Sequence, residues 1–176
     1  MDGARLGVAL CASDNDLTIE EICNYVDVFY IGGTKNGALF GEAVVIVNDE
    51  LKKDFRYMIK QRGGMLAKGR LLGIQFKTLL EDTLYFDLAR HANEMAMRMQ
   101  ATMKSCGVQF VEETTTNQIF PILDNAIIKR LQEHYVFQKW EVIDEHQCAM
   151  RFVTSWATTK EAVEVFCEDF KAIMNV

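Results

Sequence analysis

VDVFYIGGTKNGALFGEAVVIVN, residues 26–48, sets one lysine in a glycine-rich run between two apolar segments. The flanking runs, VDVFYI and EAVVIVN, are short and rich in β-branched residues, and they read as strands buried on both faces of an α/β sheet. Between them, Gly32, Gly33 and Gly37 let the backbone turn tightly or let something large sit close to it. Lys35 is then held at a strand end, on an apolar-floored ledge rather than loose in solvent. At the carboxyl ends of parallel strands, side chains converge on the crevice where ligands bind.

The surrounding composition narrows the function. The 176 residues are 49% hydrophobic and 25% charged, the balance of a globular chain with a real core. A net charge of −6 argues against a nucleic-acid partner, since phosphate neutralisation needs surplus Lys and Arg. No apolar run approaches the roughly 20 residues that span a bilayer, and the start MDGARLGVALCASDND lacks the basic region of a secretion signal. Five cysteines, odd in number and without a CxxC pair, fit neither a zinc site nor a disulfide framework. Buried reduced thiols, a cytoplasmic location, no membrane contact and no metal site are the expectation.

Periodicity divides the rest. ARLGVAL reads as the end of a strand or its exit loop, and LTIEEICNY as a helical turn. Asn48 or Asp49 can cap a helix with Leu51, Phe55, Met58 and Ile59 on one face, stopped by Gly63-Gly64. A second helix over 66–80 points Leu72, Phe76, Leu79 and Leu80 inward. A third, over 83–104, carries Leu84, Leu88, His91, Met95, Met99 and Met103, and Gly107 ends it. Four short alternating segments follow, VQFVEE, NQIFPIL, FQKWEVI and AMRFVTSW, with a helix starting near Asp124 between the second and third. The last helix opens on Thr158 and Glu161, a capping-box pair, and buries Val163, Phe166, Phe170 and Ile173. The expected organisation is thus an α/β unit over 1–90, a connecting helix over 91–106, and a small α+β domain over 107–176.

Three charged features can carry chemistry. Asp2 lies in DGAR with Arg5 three residues on, Lys35 lies in GGTKNG, and Arg151 lies in MRFVTSW between residues expected to be buried. A lysine partly removed from water loses its charge readily and becomes a nucleophile towards aldehydes. A carboxylate can keep a pyridinium nitrogen protonated, and a guanidinium offers two parallel donors to an amino-acid carboxylate. Each also has a plainer reading: Lys35 as a solvated turn residue, Asp2 as a turn or cap residue, and Arg151 paired with a neighbouring carboxylate. His91 reads as a core or interface histidine, the methionine stripe as packing, and Trp140 and Trp156 as core or subunit-contact residues.

DGARLGVAL and VDVFYIGGTKNGALFGEAVVI together resemble the threonine aldolase branch of the β-eliminating lyases, fold-type I enzymes that use pyridoxal phosphate. The similarity runs on through MIKQRGGMLAKGRLLGIQF and LARHANEMAMRM to MRFVTSWATTKEAV, so it covers almost the whole chain. The resemblance implies a partial large domain with a mostly parallel sheet and helices, followed by a small α+β domain. It implies that Lys35 holds pyridoxal 5'-phosphate covalently and that Asp2 faces the ring nitrogen. Thr34 would contribute a hydroxyl to the phosphate, and Arg5 and Arg151 would grip the substrate carboxylate. The implied reaction cleaves a β-hydroxy amino acid such as threonine to glycine and an aldehyde, in a homo-oligomer.

In that family DGAR falls near the middle of the chain. The glycine–threonine phosphate loop and the histidine that stacks on the ring belong to the half preceding it. The expectation is therefore an N-terminally truncated chain that binds the cofactor weakly by itself. Thr34 stands where many relatives have serine, and Leu66-Ala67 where many have Arg-Gln, differences that bear on substrate preference more than on cofactor use. The rival readings are β-elimination on another amino acid, with the same lysine and cofactor, and a catalytically inactive fragment.

Overall fold

The computed structural model describes residues 1–174, which fall into two units. The first comprises Met1–Cys11 and Asn15–Ala89, the second Ala12–Asp14 and the described residues from Arg90 onward.

In the first unit, ARLGVAL is not strand-like: it forms helix α1 (Leu6–Leu10). Asp2 captures the Ala4 amide and Gly3 accepts from Leu6 N–H, so the chain turns into a helix as soon as Asp2 is passed. A five-residue apolar run cannot declare its own period, which is why sequence pattern misses this helix. Helix α2 (Ile19–Ile22) follows, with a complete capping box between Thr18 and Glu21.

Strands β1 (Val28–Gly32) and β2 (Glu42–Ile46) pair with each other, Tyr30 opposite Val44. Their pairing with each other is antiparallel. The link 33–41 is shorter than the roughly dozen residues a parallel crossover needs. The segment 1–3 runs alongside β1 in the same direction: the Met1 amino group donates to the Val28 carbonyl, and Gly32 N–H donates to the Gly3 carbonyl at 2.9 Å. Nor is β2 buried on both faces. Ala43 and Val45 pack on the core while Val44 is exposed, the alternation of a strand covered on one side.

The expected helix after Asn48 is split. Asn48 caps a short 3₁₀ turn over Asp49–Lys52, and Asp54, at φ +56°, breaks the run before α3 (Phe55–Gln61). Leu51 and Met58 stay exposed, so the apolar face predicted there has no cover within the unit. Gly63, at φ +76°, stops α3 by donating to Lys60, while Gly64 donates to Ile59. Helix α4 (Arg70–Glu81) begins after a turn over 66–69 and buries Phe76 and Leu79, but leaves Leu80 exposed. The core of this unit joins Leu6, Ile22, Phe29, Ile31, Phe76, Leu79 and Tyr85.

Helix α5 (Leu84–Ser105) runs from the first unit into the second. Tyr85, Ala89, Ala92, Met95, Met99 and Met103 form its buried stripe, so the methionines are packing residues. His91 Nε2 lies 2.7 Å from the Thr158 carbonyl, to which it donates, a structural role for this ring.

The second unit is an antiparallel sheet with helices on its apolar face. Its strands are β3 (Gln109–Phe110), β4 (Gln118–Ile119), β5 (Pro121–Asp124), β6 (Gln138–Val142) and β7 (Gln147–Val153). β7 is the hub: it pairs β5 through Leu123 and Cys148, β4 through Ile119 and Phe152, and β6 through Glu141 and Ala149. Helix α6 (Asn125–Gln132) joins β5 to β6, and α7 (Lys160–Met174) closes the core with Val163, Phe166 and Phe170. Its cap is Thr159, whose hydroxyl accepts from Ala162 N–H, one residue later than the capping box read from Thr158. Thr158 instead accepts from Ser155 N–H in the preceding turn. β6 is exposed along its whole length, so Trp140, at 54% exposure, is not a core residue, and Trp156 is also exposed. Among the described residues the five cysteines form no disulfide, and no helix is long and apolar enough to cross a membrane.

Phe170 is fully buried between Phe166 and the rest of this core. Phe170→Ala should cost about 3–5 kcal/mol. Both tryptophans lie in the second unit, so urea unfolding followed by tryptophan fluorescence reads this loss directly.

Candidate active site

β1 ends against the segment that carries Asp2. A side chain on Gly3 would place its Cβ 1.6 Å from the Tyr30 carbonyl oxygen, and one on Gly32 would meet the Gly3 carbonyl at 2.5 Å. The glycines therefore serve a backbone-to-backbone approach, and the Gly32–Gly3 hydrogen bond is its product. Beyond it the chain turns at once: Asn36 and Ala38 amides both donate to the Gly33 carbonyl, at 2.8 and 3.0 Å. This turn sorts its side chains. Thr34 and Lys35 are exposed, whereas Asn36 is buried.

What fixes the turn lies beneath it. Tyr85, with no exposed surface, donates its hydroxyl proton to the Gly32 carbonyl at 2.9 Å and accepts from Gly7 N–H at 3.2 Å. Asn36 Nδ2 donates to the Tyr85 carbonyl at 2.7 Å, and Gly33 N–H donates to Glu42 at 3.1 Å. One phenol thus ties the segment bearing Asp2 and Arg5 to the segment bearing Thr34 and Lys35. Burial pushes the Tyr85 phenol up to about 12, so it stays a donor.

Asp2 is exposed, and its Oδ1 accepts from Tyr30 O–H at 2.5 Å and from Ala4 N–H at 2.9 Å. The Tyr30 bond, then the Ala4 bond, hold the carboxyl below its ordinary range, and the positive charge of Lys35 adds to this. Asp2 and Lys35 therefore share one electrostatic neighbourhood: a carboxylate and an amine at adjoining chain turns. Arg5 stands at the N-cap of α1, half-buried, within the same unit.

Arg151 lies on β7 in the second unit, flanked by buried Met150 and Phe152. Its Nη2 donates to Gln138, its guanidinium carbon sits 5.8 Å from the centre of the Trp140 ring, and its Nε is buried without a hydrogen-bond partner among the described residues. It pairs with an amide and an aromatic face rather than with the carboxylate that a strand arginine ordinarily finds.

Sequence pattern overlooks Tyr30, Tyr85, Asn36 and Glu42. Tyr30 carried one signal, since it alternates with inward-facing Phe29 and Ile31 and so points its hydroxyl to the other side of β1. Tyr85 reads as one more apolar residue of a helix stripe, and Asn36 as a common turn residue.

The fold places this chain among known structures. Threonine aldolase of Leishmania major matches with a TM-score of 0.95 and 44% identity, over 98% of this chain and 51% of that one. A serine palmitoyltransferase of Sphingomonas wittichii matches with a TM-score of 0.67 at 14% identity, over 99% of this chain and 46% of that one, a likeness of fold alone. The architecture is that of fold-type I pyridoxal-phosphate enzymes, of which the chain covers part. In sequence, low specificity L-threonine aldolases of a Pseudomonas species and of Pseudomonas aeruginosa are 31% and 32% identical, over 99% of this chain and 50% of each relative. The chain spans about half the length of the curated relatives it matches. The family profile described as Beta-eliminating lyase matches residues 1–126, and the chain belongs to that family.

Tyr85→Phe leaves the Gly32 carbonyl and the Gly7 amide without their buried partner. The expected cost is about 1–3 kcal/mol, read as faster hydrogen exchange at the Gly7 amide.

Proposed function

We propose that this chain supplies the covalent lysine, the ring-facing acid and the carboxylate-binding arginines of a pyridoxal-phosphate lyase that cleaves a β-hydroxy amino acid such as threonine to glycine and an aldehyde. The observation that carries the reading is the match to the Leishmania enzyme at a TM-score of 0.95 and 44% identity. The residues present fit the cofactor. An exposed amine and an ionised carboxylate lie together in the first unit, with the Thr34 hydroxyl next to the amine.

Each residue has a distinct task. Lys35 holds the cofactor covalently through its amine, from a turn whose backbone is locked below by Tyr85 and Asn36. Asp2 keeps the ring nitrogen protonated, and its carboxyl, held below its ordinary range by the Tyr30 and Ala4 hydrogen bonds, is ionised at neutral pH. When bound, pyridoxal phosphate supplies an electron sink for the pair released as the Cα–Cβ bond breaks. Thr34 offers its hydroxyl to the phosphate. Arg5 and Arg151 orient the substrate by its carboxylate, a bidentate task suited to guanidinium. The holoenzyme is a cytoplasmic homo-oligomer in this reading.

The family description favours one other outcome with the same residues, β-elimination. Acetaldehyde released from threonine identifies the aldolase; ammonia with a keto acid identifies the eliminating enzyme.

Borohydride reduction of the holoenzyme should fix pyridoxyl mass on the peptide containing Lys35, and label on any other lysine overturns the assignment. Lys35→Ala should abolish turnover with an unchanged circular dichroism spectrum, because the side chain is exposed. Arg151→Lys should raise KM for threonine roughly 30-fold, about 2 kcal/mol for a charge-assisted contact, with cofactor absorbance unchanged. An unaltered KM removes Arg151 from the substrate site.

A further inference from the structure

The two oxygens of Asp2 are not equivalent. Oδ1 accepts both Tyr30 O–H and Ala4 N–H, whereas Oδ2 accepts no hydrogen bond among the described residues. The Ala4 bond is local and moves with its own turn. The Tyr30 bond reaches across 28 positions of sequence and ties the carboxylate to β1, the strand that leads to Lys35. Beneath that bond the backbone has no slack, since the Gly3 Cβ position already falls on the Tyr30 carbonyl and Gly3 is bonded to Gly32. A carboxylate with one oxygen doubly held cannot exchange its oxygens by rotation without breaking both bonds.

We propose that Tyr30 is a positioning residue for Asp2: with Ala4 N–H, its hydroxyl holds Oδ1 so that Oδ2 is presented to the protonated ring nitrogen of the cofactor. The inference rests on the reading of Asp2 as the ring-facing acid. It requires the phenol to stay protonated, and the Asp2 bond does raise the Tyr30 phenol above its ordinary value, with the charges of Asp2 and Glu42 acting in the same direction. The positive charges of Lys35 and of the Met1 amino group favour the ionised form of Asp2. Donor and acceptor are thus both in the required state throughout the neutral range.

The test is nuclear magnetic resonance of carboxyl-labelled protein, wild type against Tyr30→Phe, with Asp2→Asn as the reciprocal variant. In Tyr30→Phe the Asp2 carboxyl carbon should titrate at higher pH than in wild type, while Asp49 is unmoved. In Asp2→Asn the Tyr30 phenol should titrate at lower pH. With ring-15N pyridoxal phosphate, Tyr30→Phe should weaken binding about tenfold and move the nitrogen signal towards its unprotonated position. A residue that only supported the fold would lower stability and leave these signals in place. An unmoved Asp2 titration in Tyr30→Phe overturns the proposal. If borohydride fixes pyridoxal phosphate on a lysine other than Lys35, the cofactor reading fails separately, and the Asp2 titration still decides whether Tyr30 holds Oδ1.

Discussion

The hydrogen bond from Gly32 N–H to the Gly3 carbonyl is the contact on which the first unit depends. It exists only because neither residue carries a Cβ, and it brings the end of β1 against the turn that begins at Asp2. Once those backbones touch, the turns that carry Asp2 and Lys35 adjoin, and the charge of Lys35 reaches Asp2. Asp2 and Lys35 are brought together by backbone sterics, not by attraction between their charges, which exposed groups supply only weakly.

Two tyrosines turn that approach into a defined geometry from opposite sides. Tyr85 works from the core, bridging Gly7 and Gly32 with a buried phenol that has no competing water. Tyr30 works from the exposed side, binding the Asp2 carboxylate itself. The buried phenol sets backbone position and the exposed one sets side-chain orientation, a division that follows from their alternate placement relative to the core. Asn36 adds a third tie by turning inward where Lys35 turns outward.

The second unit is organised differently. Its stability comes from an apolar layer between sheet and helices, with stacked Phe137 and Phe152, and Phe166 and Phe170 beyond them. Arg151 sits on β7, the most extensively paired strand, so its backbone is the least free to move in the unit's sheet. Its guanidinium rests on Trp140 and Gln138 from β6, which explains why that exposed strand carries an aromatic residue at its centre.

Much of this was legible in the linear chain. The long helix with its methionine stripe, the alternating short strands after Gly107 and the amphipathic last helix all follow from local periodicity, which side-chain burial enforces residue by residue. The ordered run of motifs from DGAR to MRFVTSW identifies the family, and with it the residues expected to do chemistry. Periodicity could not reveal that LGVAL is helical, that β1 and β2 are antiparallel, or that the helix after Asn48 breaks at Asp54, because each depends on a hydrogen bond or a left-handed residue rather than on a pattern of polarity. Tyr30 and Tyr85 were invisible for the same reason: a phenol's role is set by the acceptor opposite it, and those acceptors lie 28 and 53 positions away. Sequence alone determined which side chains are available for chemistry, since that is a matter of residue type and motif. Only the tertiary structure decided which oxygen of Asp2 is held and what fixes the turn bearing Lys35, since both arise where distant segments of backbone meet.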